Sequence, residues 1–249
     1  MRLSDYAAPA ALLEDRVILV TGAAAGIGRA AAKSFAAHGA TVVLLDKLIP
    51  RLESVYDEIQ AGGGPEPAIY PLNLQGASLK DYEELADTLE QEFGRLDGLL
   101  HNAALLGALS PLSQFDLELW ARVMQVNLHA PYLITRSCLG LLGRSADASV
   151  IFTSADVGRR GRAYWGAYGI SKFALEGMMQ ILADEVEENT SIRANTLDPG
   201  PVRTSMQVSA YPAVDPKQWP EPEAIMPAYL YLMGPDSRSV SGQALNAQD

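Results

Sequence analysis

Short apolar runs alternate along this chain with longer segments in which apolar positions recur every three or four residues. The runs at residues 17–20, 41–45, 68–72, 96–101, 149–153, 192–197 and 242–246 are rich in Val, Ile and Leu, and most are bounded by Gly, Pro, Asn or Asp, which predicts strands. Between them, residues 29–37, 50–60, 79–93, 116–142 and 223–233, and the stretch carrying Tyr168 and Lys172 as far as about residue 187, show helical spacing. The acidic positions of residues 79–93 (Asp81, Glu83, Glu84, Asp87, Glu90 and Glu92) read as a solvated face. Strand follows helix throughout, so the expected architecture is α/β: a doubly wound, mostly parallel sheet of about seven strands with helices on both faces. No repeat or linker interrupts the pattern. Residues 1–249 are therefore read as a single domain, with residues 1–15 an extension packed against it or left loose.

The most informative local pattern is V-I-L-V-T-G-A-A-A-G-I-G, ending at Gly28. A strand breaks at Thr21-Gly22 and a helix restarts at Gly26-Ile27-Gly28. Gly22 allows a tight exit from the strand, Gly26 lets backbone approach a pyrophosphate, and Gly28 lets the helix pack on the sheet. The helix N-terminus then points its amides at anionic oxygens. Asp46, at the end of the second strand, is placed to bond both ribose hydroxyls of an adenosine and to repel a 2′-phosphate. Together these predict a Rossmann-like dinucleotide site.

Composition narrows the partners. The formal charge, 19 − 30 = −11, disfavours nucleic acid and anionic membrane surfaces, which need local excesses of Lys and Arg. Cys138 is the single cysteine, and His38, His101 and His129 are scattered, so neither an intramolecular disulfide nor a metal site is expected. No apolar run approaches the ~20 residues needed to span a bilayer, and residues 6–13 contain Pro9 between Asp5 and Glu14, unlike a signal peptide. The expectation is a cytoplasmic protein.

Tyr168-Gly-Ile-Ser-Lys172 places a phenol and an ammonium four apart, on one helix face. A free tyrosine titrates near 10, and bringing it towards neutrality requires about 4 kcal/mol of preference for the phenolate. A nearby cation is expected to supply much of that and to make Tyr168 an acid or base at an alcohol or carbonyl oxygen.

Five stretches together resemble the short-chain dehydrogenase/reductase family: Thr21 to Gly28, the Asn102-Ala103-Ala104 turn, Asn127 in M-Q-V-N, Tyr168 to Lys172, and R-A-N-T-L-D-P-G-P-V-R-T from Arg193 to Thr204. H-N-A-A-L-L-G, M-Q-V-N and V-G-R-R-G-R-A-Y-W-G-A-Y are similar to its YciK-like bacterial branch. The resemblance implies hydride transfer between a nicotinamide and a small carbonyl or alcohol, with Tyr168, Lys172 and Asn127 as catalytic residues. Asn127 would organise a relay water, and Lys172 would bond the nicotinamide ribose. By the same resemblance the cofactor would touch Gly22, Ala25, Gly26, Ile27, Gly28, Asp46, Lys47, Asn73, Leu74, Asn102, Ala103, Ala104, Tyr168, Lys172, Pro199, Gly200, Val202 and Thr204. A homodimer or homotetramer is implied, paired through the helices carrying Asn127 and Tyr168.

The departures are as pointed as the matches. The family's serine lies thirteen positions before the tyrosine, where this chain has Ala155. Ser154 and Asp156 flank it, but in extended backbone they face the other way. Loss of one such donor typically costs about 100- to 1000-fold in rate. Two readings follow: an active oxidoreductase, or a dinucleotide-binding protein with weak or lost catalysis that serves as sensor or scaffold. Ala104 and Asn73 replace a usual glycine and aspartate near the cofactor. Asp46 favours NAD, and Lys47 leaves NADP possible. Arg159, Arg160 and Arg162 are read as ion-pairing residues or as a greeting for an anionic substrate, and Trp165 as a pocket wall or a packing residue. Specificity is assigned to the loops at residues 105–111 and 206–220.

Overall fold

The computed structural model describes residues 2–248; Met1 and Asp249, the ends of the expected domain, lie outside the described residues. Seven strands form one parallel sheet: β1 Val17–Thr21, β2 Thr41–Asp46, β3 Ala68–Pro71, β4 Gly98–His101, β5 Ala148–Thr153, β6 Ile192–Asp198 and β7 Ala244–Asn246. Their spatial order is β3-β2-β1-β4-β5-β6-β7. Among the described residues eight α-helices accompany it: α1 Gly26–Ala37, α2 Ile49–Ala61, α3 Leu79–Phe93, α4 Leu117–Met124, α5 Ala130–Leu142, α6 Gly166–Glu187, α7 Ser205–Ala210 and α8 Met226–Met233.

The strands are apolar on both faces because both faces are buried. Ile18, Val20, Val42 and Leu44 pack with α1, α2 and α8, whereas Val17, Leu19, Val43 and Leu45 pack with α3, α5 and α6. Alternate residues thus feed opposite layers, as the two-residue period of a strand requires. The N-terminal extension is packed. Leu12 and Leu13 are buried, Leu13 N donates to His38 O at 2.9 Å, and the Tyr6 hydroxyl donates to Asp236 at 2.8 Å. No helix among the described residues is long and apolar enough to cross a membrane.

Three expected boundaries move for identifiable reasons. Residues 116–142 were expected as one helix, and the path is instead interrupted by a π-helical segment, Gln125–His129. Pro131 sits in the first turn of α5, without an N–H to give and with its ring against the carbonyl of residue 127, so the turn before it widens. The expected strand 242–246 starts only at Ala244, since Gly242 has φ +68°. The expected helix 223–233 opens as a 3-10 turn, Pro222–Ile225, because Pro227 lies in the first turn of α8. One helix was not anticipated: α7, which starts where Thr204 caps Gln207 N at 3.2 Å.

The strand order reverses between β1 and β4, and at such a switch point the loops leaving the two strands part to form a crevice at their carboxyl ends.

Candidate active site

Thr21 closes β1 and organises that crevice. Its Oγ1 accepts hydrogen bonds from Asn102 N at 3.0 Å and Ala103 N at 3.1 Å, fixing the turn after β4 against the glycine turn. Gly22, at φ +70°, is tightly enclosed: a Cβ there would lie 2.9 Å from Ala103 Cα. Gly28 serves packing, because a Cβ on it would fall 2.1 Å from Gly22 O. The first turn of α1 begins at Ala25 without any side-chain cap, leaving its amides open to the crevice. At the far end, Asp46 Oδ1 accepts from Lys47 N at 2.7 Å and Leu48 N at 3.2 Å, so its carboxylate is steadied by the backbone that follows.

One cavity of about 920 Å³ runs from Asp46 and Asn73 past the glycine turn to Tyr168 and Pro199. That is near the top of the range of about 300–1,000 Å³ for small-molecule sites. Of the residues expected at the site, Gly22, Ala25, Gly26, Ile27, Asp46, Lys47, Asn73, Leu74, Asn102, Ala103, Ala104, Pro199, Gly200, Val202, Thr204, Tyr168 and Lys172 all line it; Gly28 and Asn127 do not. The fit to a dinucleotide rests on two features of this chain. The uncapped α1 amides offer an anion site midway along the cleft, and Gly26 keeps open the gap to Thr204, whose Cγ2 a Cβ would meet at 3.3 Å.

Asn127 lies off the cavity. It is buried behind the wall, and its side-chain amide is committed: Nδ2 donates to Leu105 O at 2.9 Å and to Ser171 Oγ at 3.1 Å, while Oδ1 accepts from Leu105 N at 2.7 Å. Its side chain ties the loop after β4 to α6.

Tyr168 and Lys172 lie one turn apart on the buried face of α6, with the ammonium 5.5 Å from the phenol ring centroid. The Lys172 ammonium donates to Thr153 O at 2.6 Å. Burial lowers its pKa from 10.5 to about 8, with Asp198 and Glu176 opposing the shift. The Tyr168 phenol moves opposite to expectation. Burial raises its pKa, and the charges of Asp198 and Asp156 add to the rise, while the Lys172 ammonium is bonded to Thr153 O. Tyr168 is consequently a neutral O–H in the protein's own field. Asp198 is itself raised by burial, although Gly200 N donates to it at 2.8 Å.

The gap left by the serine is real. Ala155 has extended backbone (φ −163°, ψ 159°) and lines the cavity. Ser154 points away, donating to Glu176 Oε1 at 2.5 Å, and Asp156 pairs with Arg162 at 2.5 Å, so neither takes over. Glu176 also receives Arg159 Nε at 2.8 Å and Thr196 Oγ1 at 2.6 Å. Two of the three clustered arginines are thus held by ion pairs within the chain. Trp165 does both of the things expected of it: it lines the cavity and packs at 5.8 Å on Tyr168. Tyr211 and Trp219, missed in the sequence, line the same end. Their only signal was two aromatic residues in an otherwise Pro-rich loop.

Residues 16–215 match the family described as short chain dehydrogenase. The chain is 47% identical over 237 residues to the uncharacterized oxidoreductase YciK of Escherichia coli K12, covering 95% of this chain and 93% of that protein. A short chain dehydrogenase structure from Pseudomonas syringae superposes with a TM-score of 0.96 at 57% identity, covering 98% of this chain and 99% of that one. Another, from Shigella flexneri and complexed with NADP, superposes at 0.94 with 46% identity, covering 97% of this chain and 100% of that one.

Proposed function

The chain belongs to the short chain dehydrogenase family, and we propose that it is an NAD(P)-dependent oxidoreductase interconverting a carbonyl and an alcohol, with Tyr168 as the proton donor or acceptor. The observation that carries this reading is the meeting, in one cleft, of the Tyr168–Lys172 pair with the uncapped N-terminus of α1. When bound, the nicotinamide supplies or accepts the hydride.

The residues of the chain divide the remaining work. Tyr168, neutral because burial raises its pKa, gives its proton to the substrate oxygen in the reducing direction. Lys172, cationic below about pH 8, stabilises the phenolate left behind. Asn127 acts at one remove, by holding the Leu105 segment that borders the site. Leu105, Leu106 and Trp165 shield the reacting end from water. Ala155 leaves Tyr168 as the hydroxyl donor to the substrate oxygen, which supports a slower enzyme; the intact Tyr168–Lys172 pair supports an enzyme over a dinucleotide sensor.

Both forms of the dinucleotide fit this reading. Asp46 suits the ribose hydroxyls of NAD, while Lys47 is exposed at the same end of the cavity and can meet a 2′-phosphate, in keeping with the NADP complex of the Shigella flexneri relative. A homo-oligomer accompanies the proposal. Ile170, Phe173 and Ile181 on α6 and Tyr132 on α5 remain exposed, an apolar stripe on the faces by which family members pair.

The test is direct binding of NADH and NADPH by calorimetry, followed by consumption of each over a panel of ketones and aldehydes. Saturable binding of both and turnover of at least one carbonyl are expected. Binding without any turnover would move the reading to a dinucleotide sensor, and absence of binding would overturn it.

A further inference from the structure

Four aromatic rings run in sequence along the substrate end of the cavity. Trp165 contacts Tyr168 at 5.8 Å and 48°, Trp165 contacts Tyr211 at 5.9 Å and 48°, and Tyr211 contacts Trp219 at 6.4 Å and 62°. These separations are those of rings in direct contact, about 4.5–7 Å between centroids, so no ligand passes between them. What they present to the cavity is a run of adjoining rings, tilted by 48–62° to one another, whose first member carries the reacting hydroxyl.

Local backbone strain serves this wall. Tyr164 has φ +74°, a conformation that a bulky residue avoids, and Gly166 follows at φ +34°. Ser110 N holds the turn by donating to Tyr164 O at 2.9 Å, and a Cβ on Gly166 would sit 2.6 Å from the Phe115 ring. Tyr164 itself is 60% exposed, so the strain does not bury Tyr164. Its effect is to set Trp165, the residue between, against Tyr168.

The charges at this end point the same way. Arg162 is held by Asp156 at 2.5 Å and the Lys172 ammonium by Thr153 O at 2.6 Å, while Asp198 adds negative charge to the lining. The two cations lining this end, Arg162 and Lys172, are matched by the lining carboxylates Asp156 and Asp198, so no excess of positive charge favours an anionic group, and Ala155 withholds a hydrogen bond from the substrate oxygen. Affinity for the substrate therefore comes from apolar contact.

Resting on the carbonyl chemistry proposed above, we infer that the natural substrate is an uncharged carbonyl compound or alcohol borne on an aromatic or conjugated ring, which packs against the Trp165 and Tyr211 rings and brings its oxygen to Tyr168.

The experiment compares 1-phenyl-1,2-propanedione, 2,3-hexanedione and the anion phenylglyoxylate as substrates with NADPH. Binding of each to the NADP-loaded protein is measured separately by calorimetry. Wild type is set beside Trp165→Leu and Tyr211→Leu, which keep apolar bulk and remove the ring. The aryl diketone is expected to exceed both other compounds in kcat/KM by about tenfold, and each variant to lose about five- to tenfold more for it than for the aliphatic diketone, the scale of one aromatic contact. NADPH affinity should stay unchanged in both variants. Equal preference for the aliphatic diketone, equal losses on both diketones, or tighter binding of phenylglyoxylate would overturn the inference. Ring-dependent binding without turnover of any compound would support the ring subsite while refuting carbonyl reduction; turnover without ring dependence would do the reverse.

Discussion

Restoring the missing donor by Ala155→Ser is the most informative single change. Ala155 is half-buried, lines the cavity in extended backbone, and stands on the opposite side of the chain from Ser154, whose hydroxyl is spent on Glu176. A hydroxyl added there enters the cavity that the Tyr168 phenol also lines. In a closed oxyanion site one such donor is worth about 2.7–4 kcal/mol, or 100- to 1000-fold. The gain here is smaller, because position 155 also caps the short 3-10 turn Asp156–Gly158, whose amides compete for the new hydroxyl. An increase of about 10- to 100-fold in kcat/KM is expected, which is about 1.4–2.7 kcal/mol of transition-state stabilisation. The assay is NADPH consumption at saturating cofactor over a carbonyl panel, with cofactor affinity measured in parallel. A change below about threefold with cofactor binding intact would refute the argument that Tyr168 works without a second donor it needs.

Other outcomes follow from the same geometry. Reduction needs a neutral Tyr168 and a cationic Lys172; since burial lowers Lys172 to about 8, kcat/KM for reduction should be level below that pH and fall as the ammonium loses its proton above it. A profile level up to pH 10 would refute this assignment. Gly22→Ala forces a side chain into left-handed backbone, costing about 1–2 kcal/mol, and pushes on Ala103; NADPH affinity should drop at least about tenfold, as read by calorimetry. Phe173→Asp puts a charge in the exposed stripe of α6 and should shift the chain to monomer in light scattering, whereas an unchanged mass would remove that stripe from the interface.

Much of this was legible in the chain because the physics was local. A strand, a glycine turn and a helix within thirty residues can be read directly, and so can the four-residue spacing of Tyr168 and Lys172. The absence of the serine was legible too; Ser154 is turned to Glu176 as a period of two requires, whereas Asp156, expected to face away as well, opens a 3-10 turn and lines the cavity. What escaped depends on contacts between distant segments. The widened turn at Gln125–His129 comes from Pro131 acting four residues back, and the bonds of the Asn127 side chain to Leu105 and Ser171 needed the loop after β4 in place. The direction of the Tyr168 shift is set first by its burial in the folded chain, with Asp198 and Asp156, which lie on separate loops in the sequence, adding to it. Tyr211 and Trp219 lie in a segment without periodicity, and only the packing of that segment over Trp165 reveals them as a wall.

The central claim is that Tyr168 carries the proton in a dinucleotide-dependent carbonyl reaction, and the comparison of wild type with Tyr168→Phe tests it most directly. Both proteins are first shown to bind NADPH equally, and turnover of the best carbonyl substrate is then measured. The account predicts unchanged cofactor affinity with a loss of at least about 100-fold in kcat, the usual worth of a positioned acid. Retention of wild-type kcat by the variant would contradict it.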